Sequence, residues 1–195
     1  SPMISQADRV VAAADMSFNT ELDTIARLSA AAQAAQRSHG IVLMVELGDL
    51  REGIMPGELT DTVQQMLRFP NIVLRGIGTN LACRSGVIPD NQNMSELSAL
   101  ANAIGADIGA DIDLVSGGNS ANLRWAESAA DIGRINDLRL GESLLLGRET
   151  LDRQAIDGLY TDAITLLAEV IESKTKPTRP TGAIAQTAFG PMPAA

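Results

Sequence analysis

Apolar and polar positions fall into blocks along the chain, and the period of the pattern changes from block to block. Ile41 to Leu47 (IVLMVEL) is an almost unbroken apolar run, the pattern of a strand buried on both faces. Ile72 to Thr79 and Ile112 to Val115 read as further strands, and Ala14 to Phe18 and Asp137 to Leu140 as short ones. Helical stretches lie between them. Asn19 or Thr20 is placed to cap an alanine-rich helix to Ser38, with Gly40 just past its end. Pro56 sits where a helix starts, and Leu59 to Phe69 continues it. Asn93, with Glu96 three residues on, resembles a capping box opening a helix to about Ile104. Ala121 to Ala130 is the last helix of the series.

Regular strand–helix alternation predicts an α/β fold with a parallel sheet. Five strands are visible up to Leu140, whereas a closed (β/α)8 barrel needs eight strands and typically about 250 residues. The abrupt Ser1-Pro2-Met3 start, the extended segment Ala163 to Ile171 and the Pro-rich stretch after it suggest a piece of a longer protein. A complete small doubly wound domain is the alternative. An open sheet of this kind is expected to expose apolar side chains such as Leu43, Val45 and Ile77.

Composition narrows the function. The chain has 195 residues, enough for a sizeable core, with 45% hydrophobic and 20% charged residues. A net charge of -9, with one Trp, one Tyr and three Phe, argues against nucleic-acid binding. No apolar run approaches the roughly 18 residues of a membrane span, and no signal peptide is apparent. Cys83 is the single cysteine, which excludes an internal disulfide framework and a multi-cysteine metal site. Lys174 and Lys176 are the only lysines. His39, at the predicted helix end, reads as a capping or surface residue.

Ligand sites in α/β folds lie at the carboxyl ends of strands. Four polar turns stand there. Glu46 to Gly53 brings Arg51, which can hold an anionic or phenolic oxygen or lie in a solvated surface ion pair. Gly76 to Cys83 has two glycines within a strand, a sign of close approach by another backbone or a ligand. Asn80 can hydrogen-bond or lie against a flat ring, and Cys83 is either a nucleophile or a small apolar residue. Ser116-Gly117-Gly118-Asn119-Ser120 can turn N–H groups and the Ser120 hydroxyl toward a phosphate, or be a tight turn with an ordinary N-cap. Arg139, between two leucines, must find an anion or acceptor, for example in an ion pair with Asp137 or Glu142.

In combination, LMVELGDLREGI, GIGTNLAC, VSGGNS and NDLRLGESLLLGRE resemble the alanine racemase family of fold-type III pyridoxal-phosphate enzymes, in particular its ornithine-racemase-like branch. The resemblance runs over essentially the whole chain. It implies an α/β fold that is a partial (β/α)8 barrel, with the first strands missing and only the start of a C-terminal β-domain. Residues 1–160 would belong to the barrel and residues 161–195 to the following extended segment. It implies pyridoxal 5'-phosphate as cofactor and α-proton removal and return on an amino-acid substrate.

The resemblance also implies roles. Arg51 would lie near the phenolic oxygen. Asn80, where the family has a histidine, would lie against the ring. Asn119 and Ser120, with Gly117 and Gly118, would hold the phosphate. Arg139, with Gly141, would face the pyridine nitrogen and keep it unprotonated, because an arginine stays protonated. Arg51 and Asn80 are the candidates nearest the chemistry. Met44 stands where some members have a modified lysine. The Schiff-base lysine is expected upstream of this chain, since Lys174 and Lys176 match no family lysine, and Tyr160 does not match the family's tyrosine base. The chain alone is thus expected to be inactive. The whole protein is expected to be a cytoplasmic homodimer acting on a small-molecule amino acid, with no nucleic-acid or membrane partner. Two other readings remain: a non-catalytic carrier of pyridoxal phosphate, and an unrelated phosphate-binding barrel enzyme.

Overall fold

The computed structural model describes residues 1–185. Two units divide the chain, Ser1–Ile164 and one beginning at Thr165. The first unit holds all the regular structure. In chain order it consists of α1 (Ala7–Ala13), β1 (Met16–Asn19), α2 (Leu22–Ala34), β2 (His39–Met44), α3 (Leu59–Met66), β3 (Ile72–Gly78), α4 (Asn91–Ile108), β4 (Leu114–Ser116), α5 (Leu123–Ser128) and α6 (Glu142–Leu146). The second unit has neither helix nor strand among its described residues, and Lys174 and Lys176 there lie beside Glu172.

Four parallel strands pair in sequence order, β1-β2-β3-β4. The fifth predicted strand, Asp137 to Leu140, contributes one parallel bridge between Asp137 and Ser116. The alternating apolar runs build the sheet as expected, since side chains on successive strand residues point to opposite faces. Leu43, Val45 and Ile77 are fully buried in the core with Ile25, Leu28, Val63 and Leu97. This corrects the expectation that an open sheet would expose them. They pack in one core cluster with residues of α2, α3 and α4, so the helices cover them.

On the other face β3 presents two glycines where β4 approaches. A Cβ on Gly76 would lie 2.0 Å from the Leu114 carbonyl oxygen, and one on Gly78 would lie 3.0 Å from Ser116 Cβ. The glycines of β3 therefore serve close approach by β4. A shift in the β2–β3 register, Ile41 opposite Leu74 but Val42 opposite Gly76, accommodates the bend.

Several boundaries differ from the sequence pattern. Helix α2 ends at Ala34 rather than Ser38, and Gln36 takes φ of 52°. The following residues join the sheet, because His39 N donates to Asn71 O (2.9 Å) and Gly40 N donates to Asp15 O (2.9 Å). His39 is consequently buried rather than at the surface, with Nε2 2.9 Å from Ser17 Oγ. Burial, with Arg37 adding, pushes its pKa below the ordinary value, so the ring is neutral. Helix α4 is capped by Asp90, not Asn93. Asn93 is the reciprocal partner at the third position, and Gly109 in the left-handed region ends the helix. Helices α1 and α6 have no counterpart in the sequence reading. Only Ala7 and Val11 of α1 are buried, too short a stripe to show as a period.

Buried carboxylates shape the turns at the carboxyl end of the sheet. Glu46 accepts from Gly48 N (2.6 Å), Leu50 N (2.9 Å) and Arg51 N (3.1 Å), which closes the turn after β2. Asp49, fully buried, accepts from Arg84 N (2.7 Å), Val87 N (3.1 Å), Cys83 N (3.2 Å) and Ser85 N (3.2 Å) of the loop after β3. Burial pushes the Asp49 carboxyl up, but these four N–H groups outweigh it and hold it below its usual range. Cys83 itself is exposed.

Two expectations follow. Gly76→Ala forces β3 and β4 apart and lowers stability by about 1–3 kcal/mol in chemical denaturation, with Gly57→Ala, whose Cβ meets nothing within 4 Å, as the neutral comparison. Asp49 stabilises the fold when ionised. Its contribution is full above the unfolded carboxylate value near pH 4 and is lost as the pH falls through that value toward the lower folded one. Asp49→Asn therefore lowers the melting temperature at pH 7 and flattens its decline between about pH 5 and pH 2.

Candidate active site

Parallel pairing puts every strand's carboxyl end on one side of the sheet, and the sequence-predicted residues stand on the turns there. β2 leads into the turn bearing Arg51, β3 into Thr79 and Asn80, and β4 into Gly117 to Ser120. The Asp137 bridge leads to Arg139 and Gly141.

These four turns are tied together by hydrogen bonds, the first through Asp49 to the loop after β3. Asn119 Nδ2 donates to Leu81 O (2.8 Å) and to Asn80 Oδ1 (3.2 Å). Arg139 N donates to Gly118 O (2.8 Å), and Gly141 N donates to Ser120 Oγ (3.1 Å). Asn119 Oδ1 accepts from Ala121 N (2.8 Å), so it is also the N-cap of the short helical turn that precedes α5. The N-cap reading of this segment is thus the one that the hydrogen bonds of Asn119 show.

Ser120 is buried, and its hydroxyl oxygen is the focus of two N–H groups from the facing loop, Gly141 N (3.1 Å) and Ser143 N (3.2 Å), with Ser143 Oγ also 3.2 Å away. A Cβ on Gly141 would meet nothing within 4 Å, which makes the space beside this group of donors open. A Cβ on Gly117 would lie 2.8 Å from Ile135 Cγ2, and Gly118 has φ of 144°, so both positions require glycine.

Arg139 is half-buried. Its Nη2 donates to Thr79 O (2.8 Å) and more weakly to Asn80 Oδ1 (3.4 Å), and its Nη1 donates to Ser116 Oγ. Cζ lies 4.7 Å above the centre of the Phe18 ring, a cation–π contact. The expected direct ion pair with Asp137 or Glu142 is not formed. Ser116 stands between, donating its hydroxyl proton to Asp137 Oδ2, while Glu142 pairs with Arg153. Burial pushes the Arg139 pKa down, Asp137 opposes this, and Arg51 adds to it. The guanidinium remains charged.

Arg51 is partly exposed and pairs with Glu52 (3.2 Å), the arrangement of a surface ion pair, yet it is close enough to Arg139 to repel it. Asn80 is engaged in the plane of the turn network by Asn119 and Arg139. Thr79 and Phe18 belong to the arrangement but were not singled out for it by sequence, and Ser116 and Asp137 enter it in roles other than the phosphate turn and the direct ion pair expected of them. The available signal was a polar residue, Ser116, ending a buried strand, and Asp137 two residues before the arginine. Among the described residues no cluster of His, Cys, Asp and Glu suits a metal ion, and no helix is long and apolar enough to cross a membrane.

Comparison with known proteins agrees with this geometry. Residues 3–148 match the family described as alanine racemase, N-terminal domain. An ornithine racemase of Acetoanaerobium sticklandii is 39% identical over 193 residues, 98% of this chain and 55% of the relative. A lysine racemase of Thermotoga maritima is 33% identical over 189 residues, 97% of this chain and 52% of the relative. The chain thus spans about half the length of the curated relatives it matches. Among solved structures, alanine racemase of Clostridium difficile 630 superposes with a TM-score of 0.62 at 14% identity, covering 85% of this chain and 41% of that one. PipY of Synechococcus elongatus PCC7942, solved with PLP bound, gives 0.60 at 18% identity, covering 74% and 66%. At these identities the structural likeness is one of fold. That fold and the match over most of the sequence agree, and the chain belongs to the alanine racemase N-terminal domain family.

Proposed function

We propose that the protein containing this chain is a pyridoxal-phosphate-dependent racemase of amino acids, with basic amino acids such as ornithine or lysine as the substrate class. The observation that carries the reading is Arg139, a half-buried cation at the meeting point of four strand-end turns. Among the described residues it has no carboxylate partner in a salt bridge. The names of the two curated relatives support the substrate class. Residues 1–160 are read as part of the cofactor-binding barrel and residues 161–195 as the start of a C-terminal extended segment. The whole protein is read as a cytoplasmic homodimer.

The residues present fit the cofactor. At one end of the site the N–H groups of Gly141 and Ser143 converge on Ser120 Oγ, with Ser143 Oγ beside it, and would turn to a phosphate oxygen by exchanging that hydroxyl for it. Such a set suits a phosphate, as backbone N–H groups around a glycine turn do. Asn119, Gly117 and Gly118 shape this end. At the other end Arg139 offers donors and no acceptor, which suits an unprotonated pyridine nitrogen. Asn80 would lie against the ring, and Arg51, released from Glu52, would reach the phenolic oxygen.

Bound pyridoxal phosphate supplies an electron sink that acidifies the Cα–H bond of an attached amino acid. Arg139 tempers that sink by denying the ring nitrogen a proton, which favours return of a proton to Cα over side reactions such as transamination. Lys174 and Lys176, beside Glu172, match no lysine of the family and are given no part in the reaction.

Three outcomes test the reading. The whole protein, mixed with pyridoxal phosphate and then freed of excess, keeps a protein-bound cofactor band that borohydride reduction fixes to it, and interconverts L- and D-ornithine or lysine in chiral chromatography. The chain of residues 1–195 alone shows no racemisation. Arg139→Gln lowers kcat at least about a hundredfold, the scale of losing one preorganised electrostatic contact, with the cofactor retained. Cofactor uptake without racemisation of any amino acid would favour the non-catalytic carrier.

A further inference from the structure

We infer that Ser116 and Asp137 are positioning residues for Arg139, holding its guanidinium in place through a hydroxyl so that the carboxylate does not capture it directly. The inference deepens the reading above and rests on it in one respect, the identity of what Arg139 faces. The hold on Arg139 is a property of this chain alone.

The direction of each hydrogen bond is fixed by the groups themselves. A guanidinium has donors and no acceptor, so Ser116 Oγ must accept from Arg139 Nη1. A hydroxyl has one proton, and an ionised carboxylate only accepts, so that proton goes to Asp137 Oδ2. Both bonds are charge-assisted. Ser116 is fully buried, so water does not compete for its hydroxyl.

The backbone places all three groups. Ser116 ends β4 and forms the parallel bridge with Asp137, Gly117 N donates to Asp137 O (3.0 Å), and Arg139 N donates to Gly118 O (2.8 Å). Phe18 lies under the guanidinium and Thr79 O accepts from its far side. The plane of the group is therefore set from three directions.

The intervening hydroxyl has a geometric effect. A direct, two-pronged pair with Asp137 would occupy two N–H groups and draw the cation toward the bridge. With Ser116 between, one Nη1 proton is spent. Nε–H and the second Nη1–H have no acceptor among the described residues. Asp137 still contributes its charge, the main attraction that opposes the cost of burying Arg139.

The test uses the whole protein and two readouts. Nitrogen-15 spectra of the arginine side chains, recorded without cofactor, should show resolved, slowly rotating Arg139 Nη signals in the wild type. Ser116→Ala and Asp137→Asn should average them, and Ser116→Thr, which keeps the hydroxyl, should restore them. Pyridoxal-phosphate titration followed by absorbance should show affinity about tenfold weaker in Ser116→Ala and Asp137→Asn, the lower end of what losing an outer supporting contact costs a site. It should be within about twofold of wild type in Ser116→Thr. If Ser116→Ala does not fold, Asp137→Asn gives the same comparison with every backbone contact in place. Arg139 signals unchanged in the variants would overturn the inference, whatever the titration shows. Variant-sensitive Arg139 signals in a protein that takes up no pyridoxal phosphate would support the hold on Arg139 and overturn the cofactor reading instead.

Discussion

β3 meets β4 through two glycines, Gly76 opposite Leu114 and Gly78 opposite Ser116, and the site depends on that closeness. Leu114 O occupies space that any Cβ at position 76 would need, and Ser116 lies against Gly78 in the same way. Because β4 can come so near, Thr79 N reaches Ser116 O (3.0 Å), and the turn after β4 lies beside the turn after β3. Asn119 can then bond both Asn80 and Leu81. The bridge from Ser116 to Asp137 follows from the same placement and delivers Arg139 to Thr79 O. Bulk at either glycine would separate groups that work only when adjacent.

Charge is handled differently at the two ends of this arrangement. Glu46 and Asp49 spend their oxygens on backbone N–H groups and so become parts of the scaffold, each fixing a loop. Arg139 is left with its charge only partly answered, by a ring face, a carbonyl and a shared hydroxyl. An incompletely answered cation is costly in a fold and useful in a site. Anions close the turns at this end of the sheet, and the half-buried Arg139 beside them keeps donors that no carboxylate takes among the described residues.

Much of this was legible in the sequence. The strands β2 and β3 announce themselves as apolar runs, the glycines of β3 signal close approach, and the four polar turns occur where ligands bind in parallel sheets. What the pattern concealed was long-range. His39 reads as the end of a helix because alanines run almost to it; its real partners, Ser17 and Asn71, are 22 and 32 positions away, and they draw it into the sheet. Asp90 and Asn93 divide the capping role in a way that the Asn93–Glu96 spacing does not show. The link between Asp137 and Arg139 looked like a simple ion pair because the residue that separates them, Ser116, lies 21 positions upstream. Local chemistry identified the participants, and the register of distant strands decided how they meet.

Asp49 gives the rim of the site a mechanical character. It belongs to the turn that carries Arg51, yet its two oxygens are bonded to the amides of Cys83, Arg84, Ser85 and Val87, and Ser85 Oγ returns a bond to Asp49 O (2.7 Å). The two loops are therefore one rigid lip, cross-linked without a covalent bond. Loosening Asp49 would therefore free both loops together, the one that carries Arg51 and the one that carries Cys83.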